Sequence, residues 1–440
     1  MSWNPVLNRV LDIKKRAAAA AGSAGTDLFA YDGSMTSLEY WISLAGSEED
    51  RSLLPFLYLT EYEDLLLIKY ANLGDIMTLL RADARKTAGA DDSEEEPEIS
   101  GDKLDAFWDS YDGFFRECRS VVIDIRKDCL VLTPFRKFRN LNEGEETSYE
   151  NVQKRIENAS CVEFSNKLDG SMQTARFYDG RVVMAGSQAL DRENSWRLAD
   201  GWRMLEENDG YTRMLQDHPD HTFIFEYISE KDAHVVKYDK EGLFLIGIRN
   251  VLDGTEASYR EILAMAERYG IPTTEVFDKT LDEVVAELDT KQSSEAEGFV
   301  VNIDGFKVKI KYNDYVYMHK VLSKLSSINV VIESIAADRF DDMLAKIPAA
   351  YRDRVLKVAE YVFAYRKKTI DTLEEAWKAA PKDDRKTFMI WVDANVPKEL
   401  RGYLRCRFLG QPYNVLMHRG GRHLRLREMG VENYREVFEE

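Results

Sequence analysis

The stretch CVEFSNKLDGSMQTARFY, residues 161–178, decides the fold because it places two strand-like segments on either side of a four-residue turn. Its flanks are short and rich in aromatic and β-branched residues, which is typical of strands. The turn consists of Lys167, Leu168, Asp169 and Gly170, and a glycine adopts a positive φ there at little cost. A lysine on a loop held by a rigid sheet is well placed to act as a nucleophile. The alternative is an ordinary solvated lysine in a hairpin.

A second stretch, EGFVVNIDGFKVKIKY at residues 297–312, contains a row of basic residues. Because successive side chains of a strand point to opposite faces, Lys307, Lys309 and Lys311 share one face. Lysines also protect exposed edge strands, so a solvated row is the alternative. Glu297 is followed by a glycine, which would let another part of the backbone approach closely beside the carboxylate. An acidic residue beside a lysine row suits phosphate groups and a divalent metal ion.

Three further charged residues occupy strand positions that favour a functional site. Glu226 lies inside the apolar segment TFIFEYI, and a buried carboxylate without a partner costs free energy. Arg119 stands at the start of a strand-like segment, and Lys137 precedes Phe138. For Arg119 and Lys137, ordinary surface charge is an equally good interpretation.

Short strand signals bounded by turn residues follow one another from about residue 119 to residue 312. They cover residues 120–125, 129–135, 161–166, 172–178, 181–186, 222–228, 233–238, 243–248, 297–303 and 306–312. Another strand is predicted at 65–72, and helical patterns occur at 259–269 and 281–288. Beyond residue 313 the apolar period is helical, at 330–346, 350–379 and 383–396. The sequence therefore predicts an α+β fold, an antiparallel-sheet body followed by an all-helical C-terminal region.

This change of pattern predicts two domains, residues 1–322 and residues 323–440. The first domain would carry an N-terminal extension that ends near residue 47. It would also carry an acidic insertion near residues 88–103, which contains the run DDSEEEPEISGD. So charged a segment, broken by proline and glycine, is expected to be solvated.

Composition excludes several classes of protein. The 440 residues include no apolar run long enough to cross a bilayer. A net charge of −18 argues against a protein that coats nucleic acid non-specifically. The four cysteines are scattered, without the paired spacing of a zinc site or a disulfide framework. The basic, alanine-rich run near the N-terminus is too weakly apolar for a signal peptide. We therefore predict a cytoplasmic protein that does not bind membranes.

The motifs and their order resemble the covalent nucleotidyltransferases, the superfamily of polynucleotide ligases and mRNA capping enzymes. Within it the chain is most similar to the bacteriophage T4 RNA ligase 1 family, from about residue 65 to the C-terminus apart from the acidic insertion. The matching segments are Arg116-Glu-Cys-Arg119, residues 134–143, Lys167-Leu-Asp-Gly-Ser171, Gly186-Ser187, Phe225-Glu226-Tyr227, Glu297-Gly298-Phe299-Val300, Lys309-Ile310-Lys311 and Asp384-Arg-Lys-Thr-Phe388. The resemblance implies that residues 1–322 are a nucleotidyltransferase domain.

The resemblance also implies an ATP-dependent RNA ligase in which Lys167 forms a lysyl-AMP. Lys309 and Lys311 would take part in catalysis by neutralising the α-phosphate and the leaving pyrophosphate, and Glu297 would hold a metal ion through water. The other ATP-binding residues implied are Arg119, Lys137, Asp169, Gly170, Gly186 and Glu226.

The cofactors implied by the resemblance are ATP and Mg²⁺, with Mn²⁺ as an alternative metal. The implied partner is RNA with 5′-phosphate and 3′-hydroxyl ends, which would be joined through an RNA-adenylate. Since relatives mend broken tRNA, nicked tRNA is the expected substrate class. A separate end-healing kinase and phosphatase is the expected companion, because no P-loop or phosphatase motif occurs in this chain.

Two alternatives remain open. A DNA ligase or a capping enzyme shares the nucleophile motif, but both usually carry an OB-fold after the catalytic domain, which the helical C-terminal pattern disfavours. A catalytically silent RNA-binding or sensing protein could retain the same fold, although the intact motif residues argue against it.

A lysine attacks phosphorus only as a neutral amine, and its reference pKa is about 10.4. Burial and the neighbouring Lys309 and Lys311 are expected to lower the pKa of Lys167. The phosphates of ATP would raise this pKa, so a metal ion such as Mg²⁺ is expected to offset their charge.

The chain departs from the family pattern at three places. Arg139 stands where a second aromatic residue is frequent, and Ala185 stands where a basic residue usually precedes the glycine-serine pair. The pair Ala233-His234 replaces an Asn-Arg pair. These differences are expected to affect substrate contacts more than the nucleophile.

The segment 401–427 carries seven arginines and no Asp, Glu or Lys. Arginine suits bidentate contacts with phosphate, and interleaved aromatic residues can stack on bases. We therefore expect the helical domain to bind RNA through Arg419, Arg422, Arg425 and Arg427. The alternative is surface charge that is paired with acidic residues of other helices.

Overall fold

The chain divides into a sheet-containing unit and a helical unit. The computed structural model describes residues 2–29, 33–88, 99–232, 234–316, 329–347, 349–418 and 424–431. Contacts separate Met1–Tyr312 from Asn313–Glu440, so the division falls after Tyr312 and not after residue 322. All the described strands lie in the first unit. The predicted α+β body followed by a helical C-terminal region is confirmed.

The described strands form three four-stranded sheets with antiparallel pairing. They are β1 (Leu57–Tyr62), β2 (Leu65–Tyr70), β3 (Arg119–Asp124), β4 (Cys129–Leu132), β5 (Val162–Lys167), β6 (Ser171–Tyr178), β7 (Arg181–Ala185), β8 (His221–Ile228), β9 (Gly242–Asn250), β10 (Val276–Phe277), β11 (Gly298–Ile303) and β12 (Phe306–Lys311). Sheet A has the order β1-β2-β3-β4, sheet B the order β10-β5-β11-β12, and sheet C the order β7-β6-β8-β9.

Helices cover the sheets of the first unit and make up the second. In the first unit they are α1 (Pro5–Ala24), α2 (Ser37–Ala45), α3 (Glu48–Leu53), α4 (Leu73–Ala88), α5 (Gly101–Glu117), α6 (Tyr149–Glu157), α7 (Trp196–Glu206), α8 (Asp209–Asp217), α9 (Tyr259–Tyr269) and α10 (Leu281–Ala286). In the second they are α11 (Asn329–Ala336), α12 (Phe340–Lys346), α13 (Ala349–Ala379), α14 (Arg385–Asn395) and α15 (Arg401–Phe408).

The N-terminal residues are a packed part of the first unit. Helix α1 begins after Asn4, whose side chain accepts two backbone N–H groups, and it ends at Gly25 in the left-handed conformation. Its buried residues Val10 and Ile13 join Trp41 of α2 and the inner face of sheet A in one apolar core. Other cores lie between sheets A and C, and between sheet C and helices α7 to α9.

The turn at residues 167–170 carries the predicted nucleophile, and we call it the nucleophile turn. It connects two different sheets. Strand β5 ends at Lys167 in sheet B, and β6 begins at Ser171 in sheet C, so the two strands are not the arms of a hairpin. The expected positive φ at Gly170 is wrong. A glycine is needed there because a Cβ would lie 2.4 Å from the carbonyl oxygen of Tyr227 on β8.

Gly298 of β11 lies between strands β5 and β12 of sheet B. It pairs with Lys167 of β5 on one side and with Lys311 of β12 on the other. Its φ is +147°, and a Cβ would lie only 2.1 Å from the carbonyl oxygen of Ile310. The close backbone approach expected beside Glu297 is therefore confirmed.

Two local predictions had different outcomes. The helix predicted at residues 259–269 is α9, which a Ser258 capping box starts and a left-handed Gly270 ends. The strand predicted at 233–238 is wrong, because the described residues from His234 to Tyr238 form an irregular loop. Two of its N–H groups bind the side chain of Asp169 and not a neighbouring strand.

Several arginines of the segment 401–427 are paired with acidic residues inside the helical unit. Arg401 and Arg405 contact Asp393 of α14, and Arg407 binds Glu374 of α13 at 2.7 Å. Of the four arginines predicted to bind RNA, Arg425 is exposed. Arg419, Arg422 and the side chain of Arg427 lie outside the described residues.

The acidic insertion is described only at its end. Residues 89–98 lie outside the described residues, whereas Ile99 is buried and Ser100 caps the start of α5. The final part of the predicted insertion therefore belongs to a packed helix. Among the described helices, none combines the length and the apolar character that crossing a membrane requires.

Replacing Gly298 by alanine is expected to destabilise the first unit. The new Cβ would clash with Ile310 and would also force an unfavourable φ. Gly305, in the turn after β11, has a φ of +91° but open space around its missing Cβ, so Gly305→Ala isolates the cost of the backbone conformation. We expect Gly298→Ala to cost at least ~1–2 kcal/mol more than Gly305→Ala, measured by chemical unfolding. Equal losses would contradict the packing argument.

Candidate active site

A cleft between sheets B and C, with about 710 Å³ of empty space, contains most of the charged residues of the motifs, and we call it the lysine cleft. Its charged lining residues are Arg119, Lys167, Glu226, Lys307, Lys309 and Lys311. Its apolar lining residues are Phe135, Phe138, Leu168, Met172, Ile246, Tyr259 and Val300. One cleft therefore offers both cations and an apolar surface.

A single carboxylate holds two lysines at the edge of sheet B. Oε2 of Glu297 lies 2.7 Å from Nζ of Lys167, and Oε1 lies 2.8 Å from Nζ of Lys311. The side chain of Glu297 is only 3% exposed, so water competes little for these contacts. The pairing follows from Gly298, which places both lysines opposite it in the register.

The pKa of Lys167 is raised, and the expectation that it would be lowered is wrong. Burial acts to lower it, but the negative charges of Glu297 and Glu226 outweigh burial. Burial acts to raise the pKa of Glu297, yet the charges of Lys167 and Lys311 hold it below its usual value. Lys167 is therefore an ammonium paired with a carboxylate before any phosphate enters.

Lys309 has the low pKa that had been expected of Lys167. Burial, together with the positive charges of Arg119, Lys137 and Lys167, holds its pKa well below the usual value. Its Nζ and the guanidinium of Arg119 lie 4.8 and 5.4 Å from the centre of the Phe138 ring. Burying cations so closely together is costly unless an anion joins them.

Glu226 contacts the nucleophile turn from strand β8. Its Oε1 accepts a hydrogen bond from N–H of Gly170 at 2.9 Å, which is the partner that a carboxylate inside an apolar strand requires. Burial raises its pKa to about 7, although the charge of Lys167 opposes this shift. Glu226 thus fixes the turn and adds a carboxylate near Lys167.

A loop after β8 holds the side chain of Asp169. Its Oδ2 accepts hydrogen bonds from the N–H groups of Val235 and Val236 at 2.9 and 3.0 Å. The backbone N–H of Asp169 donates to the hydroxyl of Tyr238 at 2.6 Å. These contacts fix the loop that bears the nucleophile. Asp169 does not line the lysine cleft, and its contacts hold the turn that carries Lys167.

Asp232 anchors the other end of the nucleophile turn. It accepts hydrogen bonds from Ser171 at 2.7 Å and from Arg197 at 2.8 Å. His234 lies 3.0 Å from Asp232 and 3.6 Å from Asp169, between two carboxylates. The pKa of His234 is raised, because Asp232 and Asp169 outweigh its burial. The departure from the family pattern at residue 234 therefore lies beside the nucleophile loop.

The structure brings most of the predicted site residues together. Lys167, Lys309, Lys311, Arg119 and Glu226 line the cleft, and Glu297, Asp169 and Gly170 support its nucleophile loop. Lys137 lies in a neighbouring cleft, 4.5 Å from the ring centre of Trp108. Gly186 does not line the cleft, and its N–H donates to the carbonyl of Ala189.

Sequence reasoning missed the residues whose contribution depends on long-range contacts. Tyr238, Val235 and Val236 were assigned to a strand, and Asp232 carried no motif signal. The row of lysines did indicate Lys307, but its burial and its ion pair with Glu256 come from the three-dimensional arrangement.

The site suits a metal ion that is held mainly by phosphate and water. Among the described residues, no group of three or more His, Cys, Asp or Glu side chains could enclose an ion. Glu297 and Glu226 are the carboxylates nearest to the nucleophile. Mg²⁺ commonly keeps several waters and binds one or two carboxylates together with substrate phosphates, so these residues fit such an ion.

Residues 117–324 match a family model described as RNA ligase, of the T4 type 1. This region contains the strands that line the lysine cleft, which are β3, β5, β6, β8, β9, β11 and β12, and it includes the nucleophile turn.

Solved structures of an RNA ligase from Naegleria gruberi are similar to part of the chain. The complex with PPi has 20% sequence identity and a TM-score of 0.32, and the match covers 38% of this chain and 55% of that one. A variant with ATP and Mn and a variant with AMP and Mn each have 20% identity, a TM-score of 0.33 and the same coverage. The chain thus spans about half the length of these proteins.

At that level of similarity, the solved structures carry no argument about activity, and the assignment depends on the family model. Residues 117–324, a little under half of the chain, are therefore similar to the RNA ligase family of the T4 type.

Proposed function

We propose that the protein is an ATP-dependent RNA ligase that carries AMP on Lys167. The observation that carries this proposal is the position of Lys167 in one cleft with Arg119, Lys309 and Lys311. The apolar side of the cleft would accept the adenine, and the cationic side would accept the phosphates. Similarity to the RNA ligase family supports the same reaction class.

In the first step, Nζ of Lys167 attacks the α-phosphorus of ATP. The new N–P bond forms as the bond to the pyrophosphate oxygen breaks, so pyrophosphate is the leaving group. Lys309, Lys311 and Arg119 would offset the negative charge that develops on these oxygens. Mg²⁺, when bound, supplies further charge neutralisation on the phosphates.

Lys167 must lose a proton before it attacks. Glu297 lies 2.7 Å from its Nζ, but the low pKa of this carboxylate makes it a poor proton acceptor. Glu226, with a pKa of about 7, can hold a proton near neutral pH. Glu226 is therefore the better candidate to take up the proton of Lys167.

The same cleft can serve the two later steps. An oxygen of the RNA 5′-phosphate would displace Lys167 from AMP, forming an RNA-adenylate and returning the lysine. The 3′-hydroxyl oxygen of a second RNA end would then attack the 5′-phosphorus, and AMP would leave. Each step moves charge on a phosphate beside the same lysines, so one set of cations can act throughout.

We propose RNA ends with a 5′-phosphate and a 3′-hydroxyl, such as those of nicked tRNA prepared by a separate kinase and phosphatase. Arg419, Arg422, Arg425 and Arg427 are proposed to contact the RNA. Since Arg401, Arg405 and Arg407 have acidic partners, the later arginines are the better candidates within this segment. A catalytically silent RNA-binding protein is the alternative, which adenylylation assays would separate from a ligase.

Covalent AMP should appear on Lys167. Incubation with ATP and Mg²⁺ should add the mass of AMP to the protein, and Lys167→Ala should abolish that addition because the attacking nitrogen is lost. Lys127→Ala, which removes an exposed lysine in the turn after β3, is the control and should be labelled normally. Intact mass spectrometry measures both. Labelling of Lys167→Ala would show that another residue is the nucleophile.

The lysines of β12 should accelerate adenylylation. Lys309→Met and Lys311→Met remove charges that face the leaving pyrophosphate, and each should slow single-turnover adenylylation by roughly 10- to 100-fold. Lys231→Met changes an exposed lysine on the loop after β8 and should have a much smaller effect. Wild-type rates in both β12 variants would exclude this role for the lysines.

Adenylylation should depend on pH through Glu297. The rate should rise with pH as Lys167 loses its proton, because only the neutral amine attacks. Since Glu297 raises the pKa of Lys167, Glu297→Gln should lower that pKa and move the rising limb of the profile to lower pH. Glu256→Gln, which removes the partner of Lys307, is the matched control. The measurement is the single-turnover rate against pH, and an unmoved limb in Glu297→Gln would contradict the argument.

A further inference from the structure

A second cleft, with about 540 Å³ of empty space, adjoins the lysine cleft. The two share Phe135, Phe138 and Lys307 in their walls. The remaining cations of the second cleft are Arg116, Arg136, Lys137 and Arg139, and Phe306 adds an aromatic surface. We call it the arginine cleft. Most of its cations come from the backbone segment after β4, so their positions are set next to the lysine cleft.

Two glycines leave room for the guanidinium groups of the arginine cleft. Gly113, with a φ of +79° at the kink in α5, lies against Arg136, and a Cβ there would be 2.8 Å from Nη2. A Cβ on Gly144 would be 2.5 Å from Nη1 of Arg139. A side chain at either position would force the neighbouring arginine to move, because both guanidinium groups lie close to the glycine backbone.

The buried arginines of this cleft are oriented by acidic residues of α5. Nη1 of Arg139 binds Asp105 at 2.7 Å, and Nε of Arg116 lies 2.6 Å from Asp109. Arg139 is only 4% exposed, yet its Nη2 has no hydrogen-bond partner among the described residues. An unpaired buried donor of a charged group costs free energy, and an anion in the cleft would supply the missing acceptor.

Two of the five cations in the walls have no acidic partner among the described residues. Arg116 contacts Asp109 and Glu146, Arg139 contacts Asp105, and Lys307 pairs with Glu256. Arg136 and Lys137 have no ion pair with the described acidic residues within 4.0 Å. Burial and the charges of Arg119, Arg139 and Arg116 lower the pKa of Lys137 to about 8, although Glu143 opposes the shift. Arg136 and Lys137 are therefore the cations of this cleft that remain available to an anion.

We propose that the arginine cleft binds the 5′-phosphorylated terminal nucleotide of the RNA strand that receives AMP. A terminal phosphate monoester carries a charge of about −1.5 to −2 at pH 7, which matches the two unpaired cations. Phe306 offers a ring on which the terminal base can stack. The proposal depends on the ligase function, because it places the RNA phosphate beside the cleft that would hold AMP.

The β- and γ-phosphates of ATP are an alternative ligand for the arginine cleft, because they offer the same anionic groups. The lysine cleft already provides Arg119, Lys309 and Lys311 for a triphosphate, so the additional cations are better explained by a second phosphate group.

Arg136 is the residue to test, because it is exposed, has no ion pair and can be changed without leaving a buried carboxylate unpaired. The variants are Arg136→Gln, Arg136→Glu and the conservative Arg136→Lys. Arg213→Gln and Arg213→Glu are matched controls, since Arg213 is an exposed arginine of α8 that lines neither cleft. Preformed enzyme-AMP is mixed with a short 5′-phosphorylated oligoribonucleotide, and self-adenylylation by ATP is measured separately.

In Arg136→Gln the KM for the 5′-phosphorylated strand should rise about tenfold, because one charge-assisted contact with the phosphate is lost. Arg136→Glu should raise it further, Arg136→Lys should recover most of the loss, and the Arg213 variants should match the wild type. Self-adenylylation should change far less than AMP transfer in the Arg136 variants. An unchanged KM overturns the proposal. A defect confined to self-adenylylation overturns it as well, because the cleft would then serve ATP.

A binding experiment separates this inference from the proposed function. Lys167→Met cannot form the lysyl-AMP, and its affinity for RNA with a 5′-phosphate is compared with that for the same RNA with a 5′-hydroxyl. A preference for the phosphate that Arg136→Gln removes supports the cleft, even if the wild type takes up no AMP. Equal affinities for the two RNAs overturn the assignment, even if the wild type is an active ligase.

Discussion

The site depends on one carboxylate that is shared by two lysines. Glu297 contacts Lys167 at 2.7 Å and Lys311 at 2.8 Å, and it is almost completely buried. This sharing keeps two ammonium groups within a short distance of each other, which their mutual repulsion would otherwise oppose. Gly298 makes the arrangement possible, because only a residue without a Cβ can lie between these two strands at that register. Lys167 is therefore held as an ion pair, and as the proposed nucleophile it would become reactive only when its proton is removed.

The charges around this pair have different functions. Lys309 is buried among other cations, so its site becomes favourable when an anion enters. Glu226 and Asp169 have a structural function instead. They accept hydrogen bonds from backbone N–H groups and fix the turn that carries Lys167. The cleft thus combines a rigid nucleophile loop with a cationic surface that phosphate groups would neutralise. Positioning and charge neutralisation of this kind can supply most of what phosphoryl transfer requires.

The local charge distribution is compatible with the proposed binding of RNA by a chain of net charge −18. Positive charge is concentrated in two adjoining clefts, whose cations come mainly from β12 and from the segment after β4. In the helical unit, Asp393 and Glu374 neutralise the arginines of α15. Mean charge therefore indicates little about binding here, because the cations that matter are gathered in concave surfaces while acidic residues pair many of the others.

The sequence by itself determined the fold class and the helix α9, and it indicated most of the charged residues that line the candidate cleft. Strand periodicity and turn residues act over short distances, so residues 297–312 and Lys167 could be assigned without coordinates. Only the tertiary structure decided that β5 and β6 lie in different sheets, that residues 234–238 form a loop around Asp169, and that the pKa of Lys167 is raised. The physical reason is the same in each case. Each feature arises from contacts between distant parts of the chain, which local patterns do not encode. These contacts are the pairing of strands, the close packing at Gly170, and the effect of the Glu297 carboxylate on Lys167, 130 residues away.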